Sequence, residues 1–284
     1  MSTFKRLLAF LALLLIIQCT NTSKEDTASS LQKATYLHIA HTRTWENPLL
    51  VAEAERVDYS AYDMTWLGGD MAYQSSADSI TLHRIDSIFD CQSPSTLWAL
   101  GNHDYDHVDR VEALTGRPAF YHHHQNGLTF LVLDTQDSLS SIVGPQLALF
   151  RSVLDTLQHS SHLLLLHHKL LWLYDHPELS QQADQLSNAP FGDCFFCINP
   201  NNFYRTLYPE LVKAQQKGIE VICLAGDIGR HSTGFEYRTP EGITFLASGI
   251  EFEREDNQVL LFEHDLRART LEWEFRLLKE LGGE

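Results

Sequence analysis

Five short apolar runs in this chain end in side chains of the kind that bind metal ions and move protons. The run at 34–40 ("ATYLHIA") gives way to His41 and Arg43, the run at 64–69 ("MTWLGG") to Asp70, and the run at 95–101 ("STLWALG") to Asn102, His103 and Asp104. The run at 161–167 ("SHLLLLH") ends in the pair His167–His168, and the run at 219–226 ("IEVICLAG") in Asp227. Carboxylate, amide oxygen and imidazole without thiolate suit a borderline-hard divalent ion such as Mn²⁺, Fe²⁺ or Zn²⁺, rather than a closed cysteine-rich structural site. Such a donor set points to catalysis on bound substrate.

The elements that must bring these residues together are strands. The runs are too short for helices and too uniformly apolar for half-exposed strands, so they read as buried strands, and "LTFLVLD" (128–134) joins them. In α/β sheets ligands bind beyond the carboxyl ends of the strands, where loops from distant parts of the chain meet. Leu147, Phe150, Leu154 and Leu157 fall at helical spacing within 144–158. The stretch 204–218 reads as a second helix, regular from about Pro209 and closed by Gly218. After Gly242, "ITFLASGI", "QVLLFEHD" and "TLEWEFRLL" suggest a closing group of antiparallel strands. The mixture predicts sheets packed between helices.

The chain has 284 residues, 44% of them hydrophobic, and a formal charge of −16. That acidity disfavours a nucleic-acid platform, and it obliges any phosphate chemistry to find a local cation. Lys5 and Arg6 precede eleven apolar residues, 7–17, which are too few to span a bilayer and have the pattern of an export signal. Cys19 at the end of this stretch resembles the lipid-bearing cysteine of a bacterial lipobox, although Gln18 stands where a small residue is usual. The expected organisation is a signal peptide at 1–19, a polar tether at 20–33 and one domain at 34–284, anchored to a membrane through Cys19 and facing the periplasm or the cell surface. Cys194 and Cys197 ("CFFC") have no second CxxC, so a loop-stapling disulfide or two free thiols is expected rather than a metal or redox site.

"GGD" at 68–70, "GNHD" at 101–104, "HH" at 167–168 and "AGD" at 225–227, in that order and spacing, resemble the calcineurin-like metallophosphoesterases. The resemblance covers nearly the whole domain. It implies an α/β four-layer sandwich, with two central mixed β-sheets flanked by helices and a metal centre at one edge. It further implies hydrolysis of a small-molecule phosphate mono- or diester with one or two divalent ions (Mn, Fe or Zn) per chain. Carried over by position, Asp70 would bridge two metals, Asn102, His167 and Asp227 would bind the second of them, His103 would assist the leaving oxygen, and Asp104 would hold the His103 ring.

The first and last motifs depart from the family. His41 takes the place of its first aspartate and Arg43 that of the histidine after it. Asp227 and Gly229 replace the two histidines of the last motif. The second site keeps ligand-type residues, whereas the first would have His41 and Asp70 beside Arg43, whose guanidinium cannot ligate. The expectation is one metal, with Arg43 entering space left by Gly229 to clamp the phosphate. A first site rebuilt from His38, His41 or His231, and a degenerate relative serving as an envelope binding protein, are the alternatives. Three further features remain: "HHH" at 122–124 reads as a surface strand, Trp45 and Trp172 as core or substrate contacts, and 170–203 as a lid.

Overall fold

The computed structural model describes residues 33–282, so the signal, Cys19 and nearly all of the tether lie outside the described residues. Its strands are β1 (Lys33–Ile39), β2 (Met64–Leu67), β3 (Thr96–Trp98), β4 (Tyr121–Gln125), β5 (Leu128–Val132) and β6 (His162–His167), then β7 (Glu220–Ala225), β8 (Gly234–Arg238), β9 (Thr244–Ser248), β10 (Gln258–Asp265) and β11 (Thr270–Leu277). They form two mixed sheets, a five-stranded one in the order β11-β10-β1-β2-β3 and a six-stranded one in the order β4-β5-β6-β7-β9-β8. β1, β2 and β3 run parallel, as do β5, β6, β7 and β9.

Alternation along the strands builds three apolar layers. Tyr36, Trp66, Phe130, Leu164, Leu166 and Leu224 meet between the sheets. Leu37, Leu67 and Trp98 face outward to α1 (Ser79–Phe89) and α2 (Val108–Thr115), while Leu131, Leu163, Leu165 and Val221 face outward to α3 (Gly144–Leu154) and α4 (Tyr208–Gln216). Each fully buried Leu or Phe in these layers contributes about 1.5–3 kcal/mol of transfer free energy. The result is a helix–sheet–sheet–helix sandwich.

The helices end where the sequence supplies caps. The Asp78 carboxylate accepts from Thr81 N at the start of α1, and Gly116, at φ +68°, stops α2. Before α4 the chain makes a π-turn over Phe203–Leu207, so regular helix begins beside Pro209. β10 and β11 are antiparallel as the pattern suggests, but "ITFLASGI" does not join them. It forms β9, parallel to β7 and flanked by β8, an edge strand with weak apolar alternation. His122, His123 and His124 lie on β4, the opposite edge strand, partly or fully exposed.

Candidate active site

The parallel strands of both sheets end at one edge of the sandwich, and two glycines let those ends touch. A Cβ on Gly226 would stand 2.2 Å from the Gly68 carbonyl oxygen, and one on Gly68 would stand 2.6 Å from His38 Nε2. A backbone bond crosses the junction, from Ile250 N to Ala40 O at 3.1 Å, while within each sheet His41 N donates to Gly69 O at 2.9 Å and Gly226 N and Asp227 N donate to His168 O at 3.1 and 3.0 Å.

Asp70 is the hub. Its backbone is left-handed at φ +56°, an unfavourable conformation for a side chain other than Asn or Asp. Asp104 holds it there: the Asp104 carboxylate accepts from Asp70 N at 2.7 Å, Met71 N at 3.1 Å, Gly101 N at 2.8 Å and Ser75 Oγ. The Asp104 carboxylate therefore positions the Asp70 turn, and does not hold the His103 ring as expected. That ring donates its Nδ1–H to the Tyr73 carbonyl, leaving Nε2 at 3.9 Å from Asp70 Oδ2, while His103 N donates to Asp70 Oδ1 at 2.9 Å. Asn102 opens the same turn, half-buried.

The histidine pair is read one residue out of register by the sequence. Leu164 and Leu166 point between the sheets, so His168 does too, and its Nε2 lies 3.5 Å from Asp70 Oδ1 and 3.9 Å from Asp227 Oδ1. His167 faces the outer helices with Leu163 and Leu165. There it packs edge-on to Trp172 at 5.1 Å and pairs its Nδ1 with Lys169 O at 2.7 Å. Trp172 is itself buried and stacked on Phe245, out of reach of a substrate.

The remaining positions gather on the other side of Asp70. His41 Nε2 is 3.2 Å from Asp70 Oδ2 and 3.0 Å from the Asn188 amide nitrogen. Asn188 Oδ1 accepts from Arg230 N at 2.8 Å, which turns the amide nitrogen toward His41. Arg43 Nε stands 3.8 Å from Asp70 Oδ2 with no hydrogen-bond partner, and the guanidinium lies over Trp45 at 5.0 Å. Gly229 does not make room for it: φ is +138°, and a Cβ would meet Ile250 O at 2.6 Å. His38 pairs with Ser248 Oγ and His231 is exposed, so neither pairs with Asp70.

The loop between β6 and α4 supplies Asn188, which no sequence pattern marks. Its Cys194–Cys197 disulfide closes a turn whose Phe195 carbonyl accepts from the buried Lys169 Nζ at 2.6 Å, and burial pulls the Lys169 ammonium down to about 8.

Compared with solved structures, the chain resembles a dimetal phosphatase from Danio rerio at TM-score 0.53 and 13% identity, covering 86% of this chain and 96% of that one. The chain has the calcineurin-like metallophosphoesterase fold. A 5'-nucleotidase precursor from Thermus thermophilus aligns at TM-score 0.45 and 16% identity over 89% of this chain and 56% of its own. A phosphopantetheinyl hydrolase from Mycobacterium tuberculosis gives 0.45 and 15% over 86% and 96%. No protein-family model matches the sequence, and no curated protein does.

In a metallophosphoesterase fold the test for a metal is whether the donors present are free and of the right kind. Among the described residues no three His, Cys, Asp or Glu side chains are already drawn around a common point. The atoms themselves nonetheless fit one ion. His168 Nδ1 pairs with Gly68 O at 2.8 Å, which as an N–H donor fixes the tautomer and turns the Nε2 lone pair toward two carboxylates. His168 Nε2 and Asp227 Oδ2 are buried and have no partner. A lone pair facing two carboxylates requires a positive charge among them, from a proton or a cation. Burial would depress His168, but Asp70 and Asp227 outweigh it and raise its proton affinity. Burial would likewise raise Asp70, but His168 and His41 hold it below the usual carboxylate range. Asp227 is raised by burial. On the other side of Asp70, His41 Nε2 is shared with Asn188, and the Arg43 guanidinium is not a metal ligand.

Proposed function

We propose that this protein is an exported phosphate-ester hydrolase that uses one divalent ion and one arginine where its fold relatives would use two ions. The observation that carries the reading is His168 Nε2, buried and unpartnered, with its Nδ1 at Gly68 O and two carboxylates before it. Asp70, His168 and Asp227 would hold the ion, with Asn102 beside them. When bound, a divalent ion there acidifies water and draws charge from the phosphoryl oxygens.

The chain's own residues do the rest. Arg43, 12% exposed at its side chain, offers its guanidinium to the non-bridging oxygens and supplies the local cation that an acidic protein otherwise lacks. His103 is a quarter exposed, and the Tyr73 carbonyl fixes its ring, so Nε2 is the nitrogen that meets the substrate. As water adds to phosphorus and sheds a proton to solvent, the P–O bond to the alcohol breaks, and protonated His103 Nε2 would give its proton to the departing oxygen and take one back from solvent. Asp104 keeps the Asp70 turn in place. The Cys194–Cys197 disulfide suits an oxidising compartment, in keeping with export and with a lipid anchor at Cys19 in the cell envelope.

The test is phosphate release from a mixed panel of monoesters, diesters and nucleotides with Mn²⁺, Fe²⁺ or Zn²⁺. Turnover that disappears in His103→Ala and Asp70→Asn is expected. No release with any ion would overturn the reading in favour of a binding protein.

A further inference from the structure

The proposed phosphate clamp is built together with an aromatic wall. Trp45, on the loop after β1, is 58% exposed, and one face of its indole carries the Arg43 guanidinium at 5.0 Å. Tyr73, on the loop after β2, is also exposed. It meets Trp45 edge-on at 6.4 Å and tilts against the His103 ring at 5.6 Å. Arg43, Trp45, Tyr73 and His103 thus form one continuous surface, with the phosphate-facing groups at its ends and two aromatic rings between them.

This wall is held rigid. The Asn47 amide nitrogen donates to Gln74 O at 3.0 Å and Gln74 N donates to Asn47 Oδ1 at 2.9 Å, a reciprocal pair that ties the Trp45 loop to the Tyr73 loop. Thr44 Oγ1 bonds within the Trp45 loop, and Tyr73 is fixed through its own carbonyl to His103. A large aromatic ring kept in water and braced in one place has a stacking face to offer. The other tryptophans have none: Trp66, Trp98 and Trp172 are buried and Trp273 is half-buried.

We infer that Trp45, supported by Arg43 and Tyr73, selects phosphate esters whose departing alcohol carries a planar aromatic ring, which stacks on the indole while the phosphoryl group lies against Arg43. This deepens the hydrolase reading and, as a statement about hydrolysis, rests on it. Stacking of one ring on an aromatic side chain is of the size that changes affinity about tenfold or more.

The experiment uses a matched pair, adenosine 5'-monophosphate and ribose 5-phosphate, in which phosphate leaves the same ribose 5-oxygen and only the first departing alcohol carries an aromatic ring. For the full chain the expected kcat/KM ratio is at least about tenfold in favour of the ring-bearing ester. It should fall toward unity in Trp45→Ala and recover partly in Trp45→Phe. Binding is read separately, by quenching of tryptophan fluorescence with a non-hydrolysable methylene phosphonate of adenosine. Saturable quenching that is lost in Trp45→Ala supports the inference even if neither ester is cleaved, in which case only the hydrolase reading fails. Equal turnover of the two esters without quenching overturns the inference and leaves that reading intact. Neither turnover nor quenching overturns both.

Discussion

The two sides of Asp70 each present a histidine, paired with Asp227 on one side and with Arg43 on the other, and they behave differently. On the His168–Asp227 side, polar atoms are buried and unpaired, one tautomer is fixed by a backbone carbonyl, and the carboxylates face an imidazole lone pair. On the His41–Arg43 side, Asn188 shares the imidazole and the guanidinium rests on Trp45. Unsatisfied buried groups are costly unless a ligand completes them; on the proposed reading an ion would complete His168 Nε2 and Asp227 Oδ2, and substrate would complete Arg43 Nε, which is unpaired as well. A centre that gives up one ion can keep its charge by substituting a fixed cation, but that cation cannot acidify water.

The largest effect should come from the residue both sides share. Asp70→Asn is expected to lower phosphate release by about 10²–10³-fold, because it removes the charge that orients groups on either side. The next contrast separates the paired histidines. A divalent ion should raise the melting temperature of wild type and His167→Ala but not of His168→Ala. His167→Ala should itself cost about 1–3 kcal/mol from the lost Lys169 contact and the gap at Trp172. An ion-dependent shift lost in His167→Ala instead would restore the register expected from sequence.

Gly226→Ala would tell whether the two sides depend on the sheet junction. With a Cβ 2.2 Å from Gly68 O, a loss of about 1–3 kcal/mol and a fall in activity are expected by denaturant titration and assay. Arg43→Ala should raise KM about tenfold and leave the ion-dependent shift in place, and Arg43→Lys should recover little, because the bidentate geometry is gone.

Acid sensitivity, spread over several pH units, lies furthest from the contrast at Asp70. Burial depresses His38 to about 3 and His167 to about 4. Both sit below the unfolded value of about 6.5, so the unfolded chain takes up protons first as pH falls. With a chelator present, stability should be full above about pH 6.5. It should then decline toward pH 4 by as much as about 1.4 kcal/mol per pH unit for each histidine. His38→Gln should flatten that slope.

What the sequence made legible follows from what each feature depends on. Uniform apolar runs located β1, β2, β3, β5, β6 and β7, because burial on both faces leaves a signature in composition. β8 and the placement of β9 escaped, since which sheet a strand joins is decided by tertiary pairing. "GGD" and "GNHD" located Asp70, His103 and Asp104, but the role of Asp104 lay in backbone geometry that residue types do not carry. The His167–His168 register was present in the alternation of Leu164 and Leu166 and needed only the inward face to be identified. Asn188 sits in a loop with no periodicity, and its closeness to His41 arises only in three dimensions.

The central claim is that one ion and Arg43 share the work of two ions, and elemental analysis of the purified protein tests it most directly. The account predicts about one tightly held divalent ion per chain, retained in Arg43→Ala and lost in His168→Ala. Two ions per chain, or one that survives His168→Ala, would contradict it.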